Sequence, residues 1–208
     1  APGIIQKKSY RLIEKSQSFI LNVDSSKDRL LSIIPPLLAS MIHEEKTQII
    51  LLGHKEELLS SSFDMKEYNK YTQYRFVTSY PGTNTFEECQ TIYKGIDILF
   101  TTPSKLLEYM RRQVIDTNFV SYLIYQDSHS FSSEEIREIK EIKKHLPLDC
   151  SSILYGLHHH DFLKKNIHTT LHVDSSKIEY THFLCKEPYF NTEKKQVIFD
   201  ITVLKKEL

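Results

Sequence analysis

An apolar run of strand type, Tyr122 to Tyr125, leads straight into the polar tetrad Gln126-Asp127-Ser128-His129. In a parallel α/β domain the carboxyl end of such a strand is where ligands bind, and paired acids there hold magnesium and orient a reacting water. This tetrad keeps one carboxylate, Asp127. A second group is Asp24-Ser25-Ser26-Lys27-Asp28, a lysine and two hydroxyls behind a short apolar run. A turn of this kind cradles phosphate when glycines let its backbone N–H groups point inward. It contains no glycine, and Ser25 or Ser26 equally suits the plainer task of capping a helix. A third group is Thr102-Pro103-Ser104-Lys105, which joins a hydroxyl and a lysine to a helix start. Helix N-termini and small positive fields hold phosphates, although Thr102-Pro103 also reads simply as a good helix start. His158-His159-His160-Asp161 offers imidazoles. Consecutive histidines cannot all face one ion and no further ligand cluster accompanies them, so a polar loop and no metal are expected. No Gly-x-Ser-x-Gly nucleophile motif is present.

These groups sit on a regular alternation. Strands are expected at 18–23, 47–52, 74–79, 97–101, 122–125, 152–155 and 170–173. Helices are expected from about Lys27 to His43, from Lys55, over 86–94, after Thr102-Pro103, and from Ser132 to about His145. Pro35-Pro36 should kink or divide the first of these. Ser132-Ser-Glu-Glu135 is a capping-box pattern. Pro81-Gly82 is a turn pair, and Gly95 a helix stop. The helix 134–144 carries acids early and lysines late, as the helix dipole favours, with an isoleucine stripe for the core. The alternation predicts an α/β fold with a mostly parallel sheet covered by helices on both faces. Residues 178–184 and 196–203 read as strands without an intervening helix. The second has no partner in the alternation and suits an added edge strand or the start of another unit.

Size and charge narrow the function classes. The 208 residues allow one sizeable core, with 40% hydrophobic and 26% charged residues. Lys plus Arg (27) balances Asp plus Glu (27), so any nucleic-acid surface must be a local patch. No apolar run is long enough to span a bilayer, and no membrane partner is expected. Cys89, Cys150 and Cys185 form neither a disulfide framework nor a zinc spacing, which favours a reducing, cytoplasmic setting.

The order of the pieces resembles the first RecA-like domain of a DEAD-box RNA helicase, over 1–184, with 185–208 as a C-terminal extension or the start of a linker. Pro2-Gly-Ile-Ile-Gln6 is similar to the family's adenine-reading motif. Residues 24–28 lie where the phosphate loop belongs. Gly53-His-Lys-Glu-Glu57 takes the place of Pro-Thr-Arg-Glu-Leu. Gly82 lies at the Gly-Gly position, and Thr102-Pro-Ser-Lys-Leu106 matches Thr-Pro-Gly-Arg-Leu. Gln126-Asp-Ser-His129 stands at Asp-Glu-Ala-Asp, and Tyr155-Gly-Leu157 at Ser-Ala-Thr. The resemblance implies vestigial nucleotide contacts at Gln6, Ser25, Ser26, Lys27 and Asp28. It implies vestigial catalytic positions at Gln126, Asp127 and His129, and RNA contacts at Lys55, Gly82, Thr102, Pro103, Ser104 and Lys105, with Arg111 and Arg112 widening the patch.

The departures fall on the nucleotide side. Asp28 replaces the magnesium-binding hydroxyl, and a carboxylate about 5 Å from a phosphate charge costs ~3 kcal/mol at an effective dielectric near 20. That is roughly two orders of magnitude in affinity. Gln126 is neutral where the resemblance implies a magnesium-binding aspartate, and Asp127 is one methylene shorter than the water-positioning glutamate. Tyr155 and Leu157 replace the small aliphatic hydroxyls, serine and threonine, of the linking motif. Lys55 keeps a charge but loses the bidentate fork of arginine. The expectation is a catalytically degenerate domain, with no cofactor, that serves as an RNA- and protein-binding platform in RNA processing or small-RNA silencing. It resembles the Tudor-domain helicase-like proteins of the piRNA pathway, and a ribonucleoprotein granule would suit it. RNA binding by this domain alone should be weak. The alternatives are a divergent but active ATP-dependent helicase lobe, using ATP and magnesium, and a pure protein-interaction module.

Overall fold

The computed structural model describes residues 4–22, 33–41, 46–70, 73–165, 167–172, 183–185, 189–191, 196–198 and 201–203. Its helices are α1 (Ile4–Glu14), α2 (Ile34–Ser40), α3 (Lys55–Asn69), α4 (Thr85–Tyr93), α5 (Pro103–Arg111), α6 (Ser133–Lys144) and the single turn α7 (Asp161–Lys164). Strands β1 (Phe19–Asn22), β2 (Ile49–Leu52), β3 (Phe76–Ser79), β4 (Ile98–Thr101), β5 (Tyr122–Gln126), β6 (Ser151–Gly156) and β7 (Thr170–His172) form one sheet in the order β3-β4-β2-β5-β6-β1-β7. Every pairing in it is parallel.

Strand residues point alternately to the two faces, and here both faces are apolar. Ile49 and Leu51 of β2, Tyr122 and Ile124 of β5, and Ile153 and Tyr155 of β6 pack with Leu37 of α2 and Leu58 and Met65 of α3. Their neighbours Ile50, Leu52, Leu123, Tyr125 and Leu154 pack on the opposite face with Ile92 of α4, Leu106 and Tyr109 of α5, and Ile136, Ile139 and Ile142 of α6. The isoleucine stripe of α6 is buried as its spacing predicts. Two buried cores therefore sandwich one sheet, and the polar chemistry is left to the strand ends.

One pair of alternatives is narrowed and two sequence expectations need correction. Pro35-Pro36 does not kink α2, which begins at Ile34 with the prolines in its first positions, where a helix boundary at the prolines would put them. No intrahelical N–H is lost there. The part of that helix expected over 27–32 lies outside the described residues. Helix α1 was not anticipated. It is anchored from outside its own sequence by the Tyr122 hydroxyl, which donates to the Ile13 carbonyl at 2.8 Å, and by Ser151 Oγ, which donates to the Ser16 carbonyl at 2.6 Å. Residues 196–203 are two short strands, not one. β8 (Phe183–Cys185) and β9 (Tyr189–Asn191) pair antiparallel with β11 (Ile201–Val203) and β10 (Gln196–Ile198) respectively. Each half of the run thus has its own local partner, which a single straight strand could not satisfy.

Helix α6 starts with a complete capping box. Ser132 Oγ accepts from the Glu135 N–H at 3.2 Å, and Glu135 Oε2 accepts from the Ser132 N–H at 2.8 Å. Ser132→Ala should lower the free energy of unfolding by about 1 kcal/mol. Urea denaturation checks this, and an unchanged midpoint would mean the cap contributes nothing.

Candidate functional site

The carboxyl ends of six strands make one continuous edge. In sheet order it carries Ser79 to Gly82 after β3, Thr101 to Pro103 at β4, Gly53 to Lys55 at β2, Gln126 to His129 at β5, Gly156 to His160 at β6, and Asn22 at β1. The tetrad and Gly156 occupy one half of this edge. Lys55, Gly82 and Thr102 occupy the other.

On the first half the tetrad is held in place by neighbours. Gln126 is buried, and its Oε1 accepts from Ser61 Oγ of α3 at 2.9 Å. Its side chain also packs beneath Gly53. The amide is thereby turned toward β2 and α3. Asp127 follows in left-handed backbone geometry (φ 46°, ψ 47°) and is buried. Its N–H donates to the Tyr155 carbonyl at 2.9 Å. Its carboxylate lies against Gly156, whose φ is 141°. A Cβ at Gly156 would collide with Asp127 Oδ1 and stand 3.2 Å from its Cα. The β5 and β6 exits meet again beyond this point. Ser128 Oγ accepts from the His160 N–H at 3.3 Å, and the His129 and His158 rings meet edge to face at 5.7 Å. His159 Nε2 pairs with Asn22 Oδ1 at 3.0 Å, which ties β6 to β1. Burial, then the nearby Lys164, His129 and His158, pushes His159 down to about 4. The histidine run is the polar loop expected from sequence, with His158 exposed, and it also works as a clasp through His159 and His160, which are partly buried against the neighbouring strand exits.

On the second half Lys55 begins α3 and is exposed, with its ammonium 4.9 Å above the Tyr80 ring. Gly82 has φ 100° and open space around it, so its backbone angle alone calls for glycine. Thr102 is the N-cap residue of α5, Pro103 follows it at the helix start, and Thr102 Oγ1 lies 3.2 Å from Ser104 Oγ. Ser104 is exposed. Lys105 does not extend this patch, because its ammonium is turned inward and lies 3.3 Å from Glu88 Oε2. Arg112 is paired too, with Glu108 at 2.8 Å.

The family decides how these halves are read. The DEAD/DEAH box helicase profile matches residues 6–156. The chain belongs to the DEAD/DEAH box helicase family. It is 18% identical over 158 residues to the DEAD-box ATP-dependent RNA helicase RhpA of Helicobacter pylori, covering 75% of this chain and 32% of that protein. It is 23% identical over 145 residues to the probable ATP-dependent RNA helicase DDX4 of Pelophylax lessonae, covering 64% of this chain and 20% of that protein. The chain thus spans a third or less of these relatives. Among solved structures, the DEAD box protein of Methanococcus jannaschii superposes with a TM-score of 0.71 at 16% identity, over 82% of this chain and 49% of that one. S. cerevisiae Dbp5, bound to Nup159, Gle1, IP6 and ADP, superposes with a TM-score of 0.70 at 16% identity, over 83% of this chain and 48% of that one. These likenesses establish the RecA-like fold of a DEAD-box lobe.

Within that fold the described residues fit a magnesium-bound nucleotide poorly. Hard cations want carboxylate oxygens. The tetrad offers a neutral amide bonded to Ser61 and one carboxylate packed on Gly156. Among the described residues no three His, Cys, Asp or Glu side chains form a metal-binding group, and no helix is long and apolar enough to cross a membrane. Residues 24–28, with Ser25, Ser26, Lys27 and Asp28, lie outside the described residues. Gln6 falls in the first turn of α1, and its side chain is also outside them. Sequence reasoning missed Ser61, Glu88, Tyr109 and the histidine clasp. Small polar residues on the buried face of α3 were the available sign for Ser61; nothing local pairs Glu88 with Lys105.

Gly156→Ala should destabilise the domain by about 2–3 kcal/mol, from the left-handed backbone and the collision with Asp127. Equilibrium unfolding measures this, and a shift under 0.5 kcal/mol, the range of neutral surface changes, would show that the two exits part freely. His159 generates a pH dependence. Its folded-state value of about 4 lies below the usual 6.5, so the unfolded chain binds the proton more readily. Its contribution is complete above pH 6.5 and is lost as pH falls toward 4. His159→Gln should flatten the stability profile in that window; an unaltered slope would place the titration elsewhere.

Proposed function

We propose that this DEAD-box lobe is catalytically degenerate and acts as a binding platform for RNA and protein partners in RNA processing or small-RNA silencing. The observation that carries the reading is the state of the β5 exit. Gln126 is neutral and its amide oxygen accepts from Ser61, and Asp127 is the one acid of the tetrad, so no pair of carboxylates stands there. The absence of glycine from 24–28 and the replacement of serine by the bulky Tyr155 and of threonine by Leu157 point the same way. By contrast the helix start at Thr102-Pro103, the Gly82 turn and exposed Lys55 retain what a phosphodiester backbone needs: amides, a hydroxyl and a cation. The Tudor-domain helicase-like proteins of the piRNA pathway are the proposed kind of setting, in a cytoplasmic ribonucleoprotein. RNA and protein would be held by shape and charge, with no ATP required and no unwinding by this lobe.

Thermal stability with and without Mg-ATP tests the reading. A binder at 100 times its dissociation constant gains about 2.7 kcal/mol, and no upward shift is expected here. A clear shift that disappears in Lys27→Ala would establish the active-lobe alternative, for which surviving Asp127 is the sole acid of the tetrad.

A further inference from the structure

Lys105 and Glu88 form a buried charge pair between two helices, and their surroundings go beyond a simple ion pair. The Lys105 ammonium donates to Thr85 Oγ1 at 2.5 Å and to Glu88 Oε2 at 3.3 Å, with Glu108 Oε2 at 3.5 Å and the Tyr109 ring at 5.7 Å. The Tyr109 hydroxyl donates to Glu88 Oε2 at 2.6 Å and lies 2.5 Å from Ser79 Oγ. Lys105 and Glu88 are 6% and 9% exposed, and Tyr109 and Ser79 are fully buried. Burial and the bond to Glu88 hold the Tyr109 phenol in its protonated form, far above its ordinary range.

This network joins the last residue of β3, the first turn of α4 and the first two turns of α5. The Pro81-Gly82 turn lies between two of its members, Ser79 and Thr85. The Thr102-Pro103 helix start lies one turn from a third. Stability alone gives little reason for it. A buried ion pair costs desolvation that well-packed apolar residues avoid, and Glu88 Oε1 is buried with no hydrogen-bond partner. A network of this kind does fix geometry, because moving either turn would strand a charge.

We propose that Lys105 and Glu88 are positioning residues for single-stranded RNA: they lock the Gly82 turn against the N-terminus of α5 so that both meet the same phosphodiester backbone, and neither touches the RNA. This rests on the RNA reading of the edge given above. It also reassigns Lys105 from contact to support.

Fluorescence anisotropy of a labelled oligouridylate, titrated with the chain across a salt series, tests it by sign and slope. Glu88→Gln and Lys105→Met should each weaken binding about tenfold, the scale of a lost charge-assisted hydrogen bond. The salt slope should stay unchanged, and the double variant should be no worse than either single one. A direct phosphate contact by Lys105 predicts otherwise. Glu88→Gln would then tighten binding by freeing the lysine, and Lys105→Met would lower the slope by about 0.7. Either result overturns the proposal, as does unchanged affinity in both variants. Urea denaturation confirms that each variant is folded. Should one fail to fold, Tyr109→Phe removes the hydroxyl bond to Glu88 at smaller cost and carries the same expectations. If the unaltered chain does not bind the oligonucleotide, or binds it with Lys55→Ala and Thr102→Ala changing nothing, the RNA reading itself falls and takes this inference with it. Binding that depends on Lys55 and Thr102 but ignores Glu88 defeats the inference alone.

Discussion

Every central strand of this sheet is buried on both faces, and that single constraint arranges the rest. Residues 49 to 52, 98 to 101 and 122 to 126 are buried without a break. A strand clothed on both sides has no lateral surface on which to place a polar group. Chemistry is confined to the edge where strands give way to helices, and there the backbone supplies amides and turns whatever the side chains are. The edge is therefore a surface whatever side chains it carries.

The two halves of that edge have diverged in the kind of polar group they keep. Around β5, β6 and β1 the side chains bond to one another: Gln126 to Ser61, His159 to Asn22, His129 to His158. Such groups make a clasp between strand exits. Around β3, β4 and β2 the exposed polar groups include Ser104 and Lys55, while Thr102 is buried and Lys105 turns inward. The first half closes on itself, and the second stays open above a rigid base. Membership of the DEAD/DEAH box family explains why both halves exist on one sheet.

Much of this was legible in the sequence, for identifiable reasons. The parallel sheet followed from unbroken apolar runs separated by helix-length segments, and the Ser132 capping box from its local spacing. Elements whose partners are distant in sequence were not legible. Helix α1 depends on Tyr122 and Ser151, and the division of 196–203 depends on two different antiparallel partners. At the edge, the positions of the tetrad, Gly82 and Thr102 followed from motif order. The inward turn of Lys105 did not, because Glu88 and Thr85 belong to another helix. The histidine run is a loop, as its polarity implies, but the bond from His159 to Asn22 was not legible because β1 is distant in sequence.

The meeting of Gly156 and Asp127 bears on descent. Each residue suits the other: the missing side chain at 156 gives room for the carboxylate, and the left-handed turn at 127 brings that carboxylate over the glycine. A side chain at 156 would enter the space the carboxylate occupies, so change at one position is tied to change at the other. Positions 127 and 156 therefore behave as one unit of variation, set by a shared volume.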